Sequence, residues 1–398
     1  MARLPLPAMQ RAPRLELSAL GVVRPPAQAA VAAAARREEQ GFDAVWWVDH
    51  FLHWFPNEIW TPDLVPQAAA QPSPHVWFDP FPVIAAAAGA TSGIGLGVGV
   101  TDVVRRHPAL LAQTALTLDH VTEGRFVLGV GTGEALNLAP IGVANRRPLA
   151  RLEEAIRVMR LLFSTAEPVD FEGDFYRLRA MAMGLRPFGA APPPIWVAAH
   201  RPRGLALAGR TADGWLPLAT DPSAYAEMLA AVRTAAAAEG RAEDAVTPGL
   251  YARVVLAERS GEAAEIIDRS LLMRFIALTR PAEAFEARGA AHPLGAGAFG
   301  LTTFLPTEYD RASALALAER VPPEVVRDSV LHGTPDQVAE QVERFVAAGA
   351  RHVQLTNMTP LAAPERAAAS DSLLGDLVAG LRTRGRTAAA AGSGSDAR

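Results

Sequence analysis

Residues Ile94–Asn137 read IGLGVGVTDVVRRHPALLAQTALTLDHVTEGRFVLGVGTGEALN, and they restrict the fold more than any other stretch. Two apolar runs, IGLGVGV and RFVLGVG, each stop at glycine and a small polar residue. Between them, Pro108 to Thr122 carries Leu110, Leu111, Thr114, Ala115 and Leu118 at near-helical spacing. A helix between two buried strands makes those strands parallel, joined by a right-handed crossover. Thr101, Asp102, Thr132 and Glu134 then stand at the carboxyl ends of strands, where α/β folds bind their ligands.

The same alternation runs along the chain. Strands are expected at Leu15–Val22, Asp43–Val48, Pro194–Ala198, Asp213–Leu218, Leu250–Leu256 and His352–Leu355. Helices are expected at about Pro25–Gln40, Phe81–Ala90, Pro148–Ser164, Arg203–Arg210, Ser223–Glu239 and from a Thr334 cap to Ala348. Gly173–Asp174 signals a hairpin within Val169–Arg177. With the two strands of the opening stretch, eight strands alternate with helices, the (β/α)8 TIM-barrel pattern. A doubly wound open sheet shares the alternation, but no GxGxxG follows the first strand. Two segments depart from it. One is a Pro/Trp-rich loop, Phe51–Phe81, of a length that usually serves function. The other, 257–321, reads as a mostly helical insertion after the seventh strand that caps the barrel mouth. Residues 1–13 read as a loose leader, 14–382 as the barrel and 383–398 as a disordered tail.

Composition removes whole classes of chemistry. Cysteine is absent, which excludes disulfides, thiol nucleophiles and thiolate metal sites. Lysine is absent too, which excludes Schiff bases and lysine clamps on phosphate. The nine histidines include no HxH or HExxH pair, so no metal site is expected. A net charge of −4 leaves no footprint for nucleic acid. With no apolar run of about 20 residues and no signal pattern, the reading is a cytoplasmic protein that does not span a membrane.

Three motifs carry a family resemblance: VDHFLHW at Val48–Trp54, LGVGVTDVVRRHP at Leu96–Pro108 and LGVGTGEALN at Leu128–Asn137. They resemble the luciferase-like oxidoreductases, in the branch that uses the deazaflavin coenzyme F420 and includes the F420-dependent glucose-6-phosphate dehydrogenases. Further stretches, Ile195–Pro217, Gly289–Gly300 and Val321–Val338, resemble the phthiodiolone ketoreductases of the same superfamily. The resemblance implies an F420-dependent oxidoreductase that moves a hydride between the deazaflavin C5 and a carbonyl or alcohol carbon. An FMN-dependent luciferase-like monooxygenase and a silent barrel serving as a binding subunit are the alternatives. A homodimer through barrel helices is implied as well.

The resemblance also assigns residues. His50 becomes the acid/base, suited by an ordinary pKa of about 6.5. Glu134 governs protonation of the cofactor ring, unless its carboxylate merely caps the following helix. Trp54 shapes the pocket beside ring and substrate. Asp49, Thr101 and Asn137 become cofactor contacts, and Gly99–Val100 a bulge with a cis peptide pressed on the ring. Ala199, His200 and Arg201 precede a helix start whose N–H groups suit a phosphate. Lacking lysine, the chain departs from the sugar-phosphate enzymes, with Arg327 the one loosely aligned cation. Leu271, Leu272, Phe275, Phe299 and Phe304 of the insertion fit a lid over an uncharged substrate.

Overall fold

The computed structural model describes residues 14–395; the expected leader, 1–13, lies outside them. Among the described residues eleven strands follow in chain order. They are β1 (Glu16–Leu20), β2 (Ala44–Trp47), β3 (Gly95–Asp102), β4 (Phe126–Gly131), β5 (Val169–Glu172) and β6 (Arg177–Met181), followed by β7 (Ile195–Val197), β8 (Gly214–Trp215), β9 (Thr247–Leu256), β10 (Leu331–Gly333) and β11 (His352–Asn357). The order β11-β1-β2-β3-β4-β7-β8-β9 closes on itself, because β9 pairs with both β8 and β11. Every pairing in this ring is parallel, so the eight strands form a (β/α)8 barrel.

Helices such as Pro108–Val121 and Pro148–Ser164 return the chain between strands. Each starts on a proline, whose missing N–H costs nothing in a first turn. Thr334 and Gln337 form a capping box at the start of Pro335–Ala347, as the sequence indicates. β5 and β6 make the expected hairpin beside the barrel, running on to Met181.

Two tryptophans fill the lumen. Trp46 of β2 and Trp196 of β7 meet edge to face, ring centroids 5.1 Å apart. Glycines on the neighbouring strands make the room: a Cβ on Gly214 would lie 2.2 Å from the Trp196 ring. Trp47 points the other way, its indole N–H donating to the Val22 carbonyl. Close approach is also enforced between β3 and β4, where a Cβ on Gly129 would sit 2.3 Å from the Val98 carbonyl oxygen. Gly129→Ala must push apart two paired backbones, and a loss of about 2–3 kcal/mol is expected in urea unfolding.

Three features differ from the sequence reading. The short β10 extends the outer half of β9, pairing Leu331 with Val254, and three residues offer too little periodicity to be read. β8 shrinks to Gly214–Trp215. The last helix runs from Ala367 to Ser395, reaching into the segment expected as a tail; its alanine run has high helix propensity.

The insertion and the long loop make a second apolar core over the carboxyl ends of the strands. Leu272, Phe275 and Phe304 pack there with Phe55, Ile59 and Trp60. These side chains are all but fully buried, so the loop is held down by apolar burial at both ends of its tryptophan-rich half. No described helix is long and apolar enough to cross a membrane.

Candidate active site

A cavity opens at the carboxyl ends of the strands, between barrel and insertion. Nine of the eleven residues singled out from the sequence line it: Asp49, His50, Trp54, Gly99, Val100, Thr101, Glu134, Asn137 and His200. Ala199 and Arg201 do not. Ala199 is buried, its carbonyl accepting from the Trp215 indole at 2.9 Å. Arg201 precedes the helix Pro202–Thr211, but its guanidinium pairs with Glu283 at 2.8 Å.

β3 supplies the cavity wall. Its pairing with β4 slips between Val98 and Thr101, and the Gly99–Val100 peptide is cis, which agrees with the bulge implied by resemblance. Immediately beyond, Thr101 donates to Asp49 Oδ2 at 2.6 Å. The same carboxylate faces Arg105 at 3.2 Å, and Arg105 also pairs with Asp102 and donates to the Asp49 carbonyl at 2.8 Å. Asp102 Oδ1 accepts the N–H groups of Val104 and Arg105, fixing the turn that brings the guanidinium back. Asp49, Thr101, Asp102 and Arg105 thus form one buried network locking β2 to β3. Thr101→Val removes a charge-assisted donor and is expected to cost about 2 kcal/mol in thermal or urea unfolding.

The reactive side of the cavity joins β2 to β4. Gly133, at φ +87°, makes a turn that an L side chain resists, and Glu134 follows it. Glu134 occupies the cap position of the helix Ala135–Leu138, yet its side chain caps nothing. The capping alternative is thereby corrected: the carboxylate turns toward the cavity instead. Its Oε2 lies 3.5 Å from His50 Nδ1 and has no hydrogen-bond partner, although it is sealed from solvent. Burial pushes the Glu134 pKa up to about 8. The side chain keeps 26% of its surface open to the cavity, so the sealed oxygen is what disfavours the charge.

Asn137 orients His50. Its Oδ1 accepts the Phe51 N–H at 2.8 Å, which turns its NH2 toward His50 Nδ1 at 3.0 Å. Nδ1 is then the acceptor, and the ring carries its proton on Nε2. Burial, reinforced by the nearby Arg105 charge, lowers the His50 pKa to about 3. The imidazole is neutral at pH 7. His200 is likewise held neutral, its pKa lowered to about 4 chiefly by burial, and its Nε2 accepts the Leu218 N–H at 2.9 Å.

Trp54 stands edge-on to His50, centroids 5.1 Å apart. His53 Nδ1 accepts its backbone N–H at 2.9 Å, and the His53 ring stacks on Phe55 at 3.9 Å. Phe55 in turn meets Phe275 of the insertion, so the second core sets the position of Trp54. Phe299, Leu301 and Thr302 of the insertion reach the cavity as well. Of the five apolar residues expected over the mouth, Phe299 lines it, Leu272, Phe275 and Phe304 lie in the core behind it, and Leu271 packs against that core.

Sequence reasoning missed Arg253 and Tyr251, both on β9 and both lining the cavity. Two residues apart, they share the lumen face of the strand. An arginine inside the run LYARVVL was the available signal.

A closed parallel barrel with an acid–imidazole pair at its carboxyl-end mouth defines a barrel enzyme. The chain belongs to the luciferase-like monooxygenase family, whose profile matches residues 8–352. It is 36% identical over 336 residues to the phthiodiolone/phenolphthiodiolone dimycocerosates ketoreductase of Mycobacterium tuberculosis, covering 83% of this chain and 87% of that protein. It is 33% identical over 327 residues to the F420-dependent glucose-6-phosphate dehydrogenase of Kineococcus radiotolerans, covering 80% and 84%. The fold is shared with an F420-dependent secondary alcohol dehydrogenase solved with an F420–acetone adduct, at TM-score 0.67 and 22% identity over 86% of this chain and 93% of the other. A long-chain alkane monooxygenase shares it at TM-score 0.67 and 17% identity, covering 94% and 92%. The chain is an oxidoreductase.

Proposed function

We propose that the protein uses coenzyme F420 to interconvert a carbonyl and an alcohol, in the manner of a ketoreductase. The observation that carries this reading is the His50–Asn137–Glu134 constellation, in which an oriented neutral imidazole and an unpartnered acid face one cavity. The residues fit a flat tricycle with a polar edge. Gly99 and Gly131 line the cavity and let the β3–β4 wall pack closely, since a Cβ on Gly99 would strike the Trp46 ring and one on Gly131 would crowd the Val100 side chain. Glu134 Oε2 and Trp54 Nε1 are sealed polar atoms that lack a partner.

When bound, the reduced deazaflavin supplies the hydride to the carbonyl carbon from its C5. The proton for the carbonyl oxygen is held by His50 at Nε2, and Asn137 keeps that atom, rather than Nδ1, as the donor. Glu134, protonated at neutral pH, offers a hydrogen bond to the cofactor's ring nitrogen where an ionised carboxylate would repel electron density. Trp54 and Phe299 exclude water from the reacting carbon. Asp49 and Thr101, locked together, support the cofactor-facing wall.

Anaerobic oxidation of reduced F420 by a panel of ketones tests this. Ketone-dependent return of F420 fluorescence, with one alcohol formed per coenzyme, is the expected result. Reduced FMN consumed only with oxygen would replace the reading with a monooxygenase. The homodimer belongs to the same proposal, and sedimentation at twice the chain mass is its expected result.

A further inference from the structure

Arg253 is buried, lines the cavity, and forms no ion pair among the described residues. One of its five N–H donors reaches Thr279 Oγ1 at 2.9 Å. Among the described residues no carboxylate lies within ion-pair distance of it, whereas the other cavity arginine, Arg105, is shared between Asp49 and Asp102. The remaining acid on the cavity, Glu134, is held protonated at neutral pH by burial, and His50 and His200 are neutral. Among the charged residues lining the cavity, Arg253 is thus the one with no partner within ion-pair distance. Leu216, Leu218, Phe299 and Leu301 line the same cavity with apolar surface, and a buried guanidinium is costly alone and strongly attractive to an anion.

Its position relates it to the chemistry. The Arg253 guanidinium lies 5.8 Å from the Trp54 ring centroid, and the His50 ring lies 5.1 Å from the same ring. One small molecule can reach both.

We propose that the substrate carries a carboxylate bound by Arg253 while its carbonyl lies at His50, so that the natural substrates are oxo acids. This rests on the carbonyl-reducing reading above. It replaces the expectation of an uncharged substrate, which followed from the absence of lysine and from the apolar insertion. Arginine binds carboxylate in a planar two-point fashion that lysine lacks. Arg327, the cation singled out from the sequence, is engaged elsewhere with Asp268 and Glu324.

The test needs no turnover. Cofactor-free protein is titrated with 4-oxopentanoate and with its uncharged methyl ester, following tryptophan fluorescence, which Trp54 reports from beside Arg253. The acid is expected to bind about 10- to 100-fold more tightly than the ester. Arg253→Met is expected to abolish that preference, and Arg253→Lys to keep part of it; melting curves of both variants verify folding. Equal binding of acid and ester, or a preference that survives in Arg253→Met, overturns the proposal. Loss of F420 binding in Arg253→Met with the acid preference intact assigns the residue to the cofactor and overturns it too. Failure of the unsubstituted protein to bind F420 would count against the cofactor reading alone, since the acid–ester comparison is made without it.

Discussion

Replacing His50 with asparagine is expected to lower kcat for ketone reduction by about 10²–10⁴-fold, the usual worth of a positioned proton donor. The side chain is neutral in place, so the substitution removes no buried charge, and asparagine is small enough to enter the space. F420 affinity should stay close to that of the unsubstituted protein, because His50 contributes a proton and not a cofactor contact. The informative comparison is kcat against the cofactor dissociation constant. A fall in kcat alone identifies the proton donor. A fall smaller than tenfold, or one matched by lost F420 affinity, removes His50 from that role.

The second large effect belongs to Glu134 and is read against pH. Its folded pKa of about 8 stands above the ordinary carboxylate value of 4.5. Below pH 4.5 folded and unfolded chains are both protonated there, and the group carries no penalty. As pH rises from 4.5 toward 8 the unfolded carboxyl ionises first, so the unfolded state binds fewer protons and stability falls. Above 8 the loss is complete. Glu134→Gln cannot ionise and should be more stable than the parent at pH 9 by about 2–3 kcal/mol, with little difference at pH 4.5. Activity should follow the same group: kcat/KM is expected to hold from pH 5 to 7 and fall with an apparent pKa near 8. The variant should lack that limb and turn over about 10²-fold more slowly. His50 has the opposite sign. Its folded pKa of about 3 lies below the ordinary 6.5, so its contribution is present above 6.5 and is lost as pH falls toward 3. An acid limb near pH 6.5 in kcat/KM would contradict a buried neutral His50.

The barrel was legible because its strands are buried on both faces. IGLGVGV and RFVLGVG are continuous apolar runs, and glycine marks where Trp46 or a neighbouring backbone comes close. β10 escaped because three residues cannot show a period. In the site, His50, Glu134 and Asn137 stood at strand ends, and the fold brings them together. The residues around Arg201 place it before a helix start suited to a phosphate, but an acid on the insertion, Glu283, occupies its guanidinium, and that contact spans 82 residues. Arg253 was missed for a related reason. Within LYARVVL the arginine stands out from an otherwise buried strand, but only barrel closure tells which alternate side chains face the lumen. The Asp49–Arg105 network is likewise a meeting of two strand ends, and no local pattern states which acid an arginine will choose.

The central claim is the cofactor, and one titration tests it most directly. Protein is titrated separately with F420 and with FMN, following quenching of tryptophan fluorescence, with Trp54→Phe as the control that locates the signal in the cavity. Saturable quenching by F420, much reduced in Trp54→Phe and absent with FMN, is the predicted result. Saturable quenching by FMN and none by F420 would contradict the account and make oxygen consumption the next measurement.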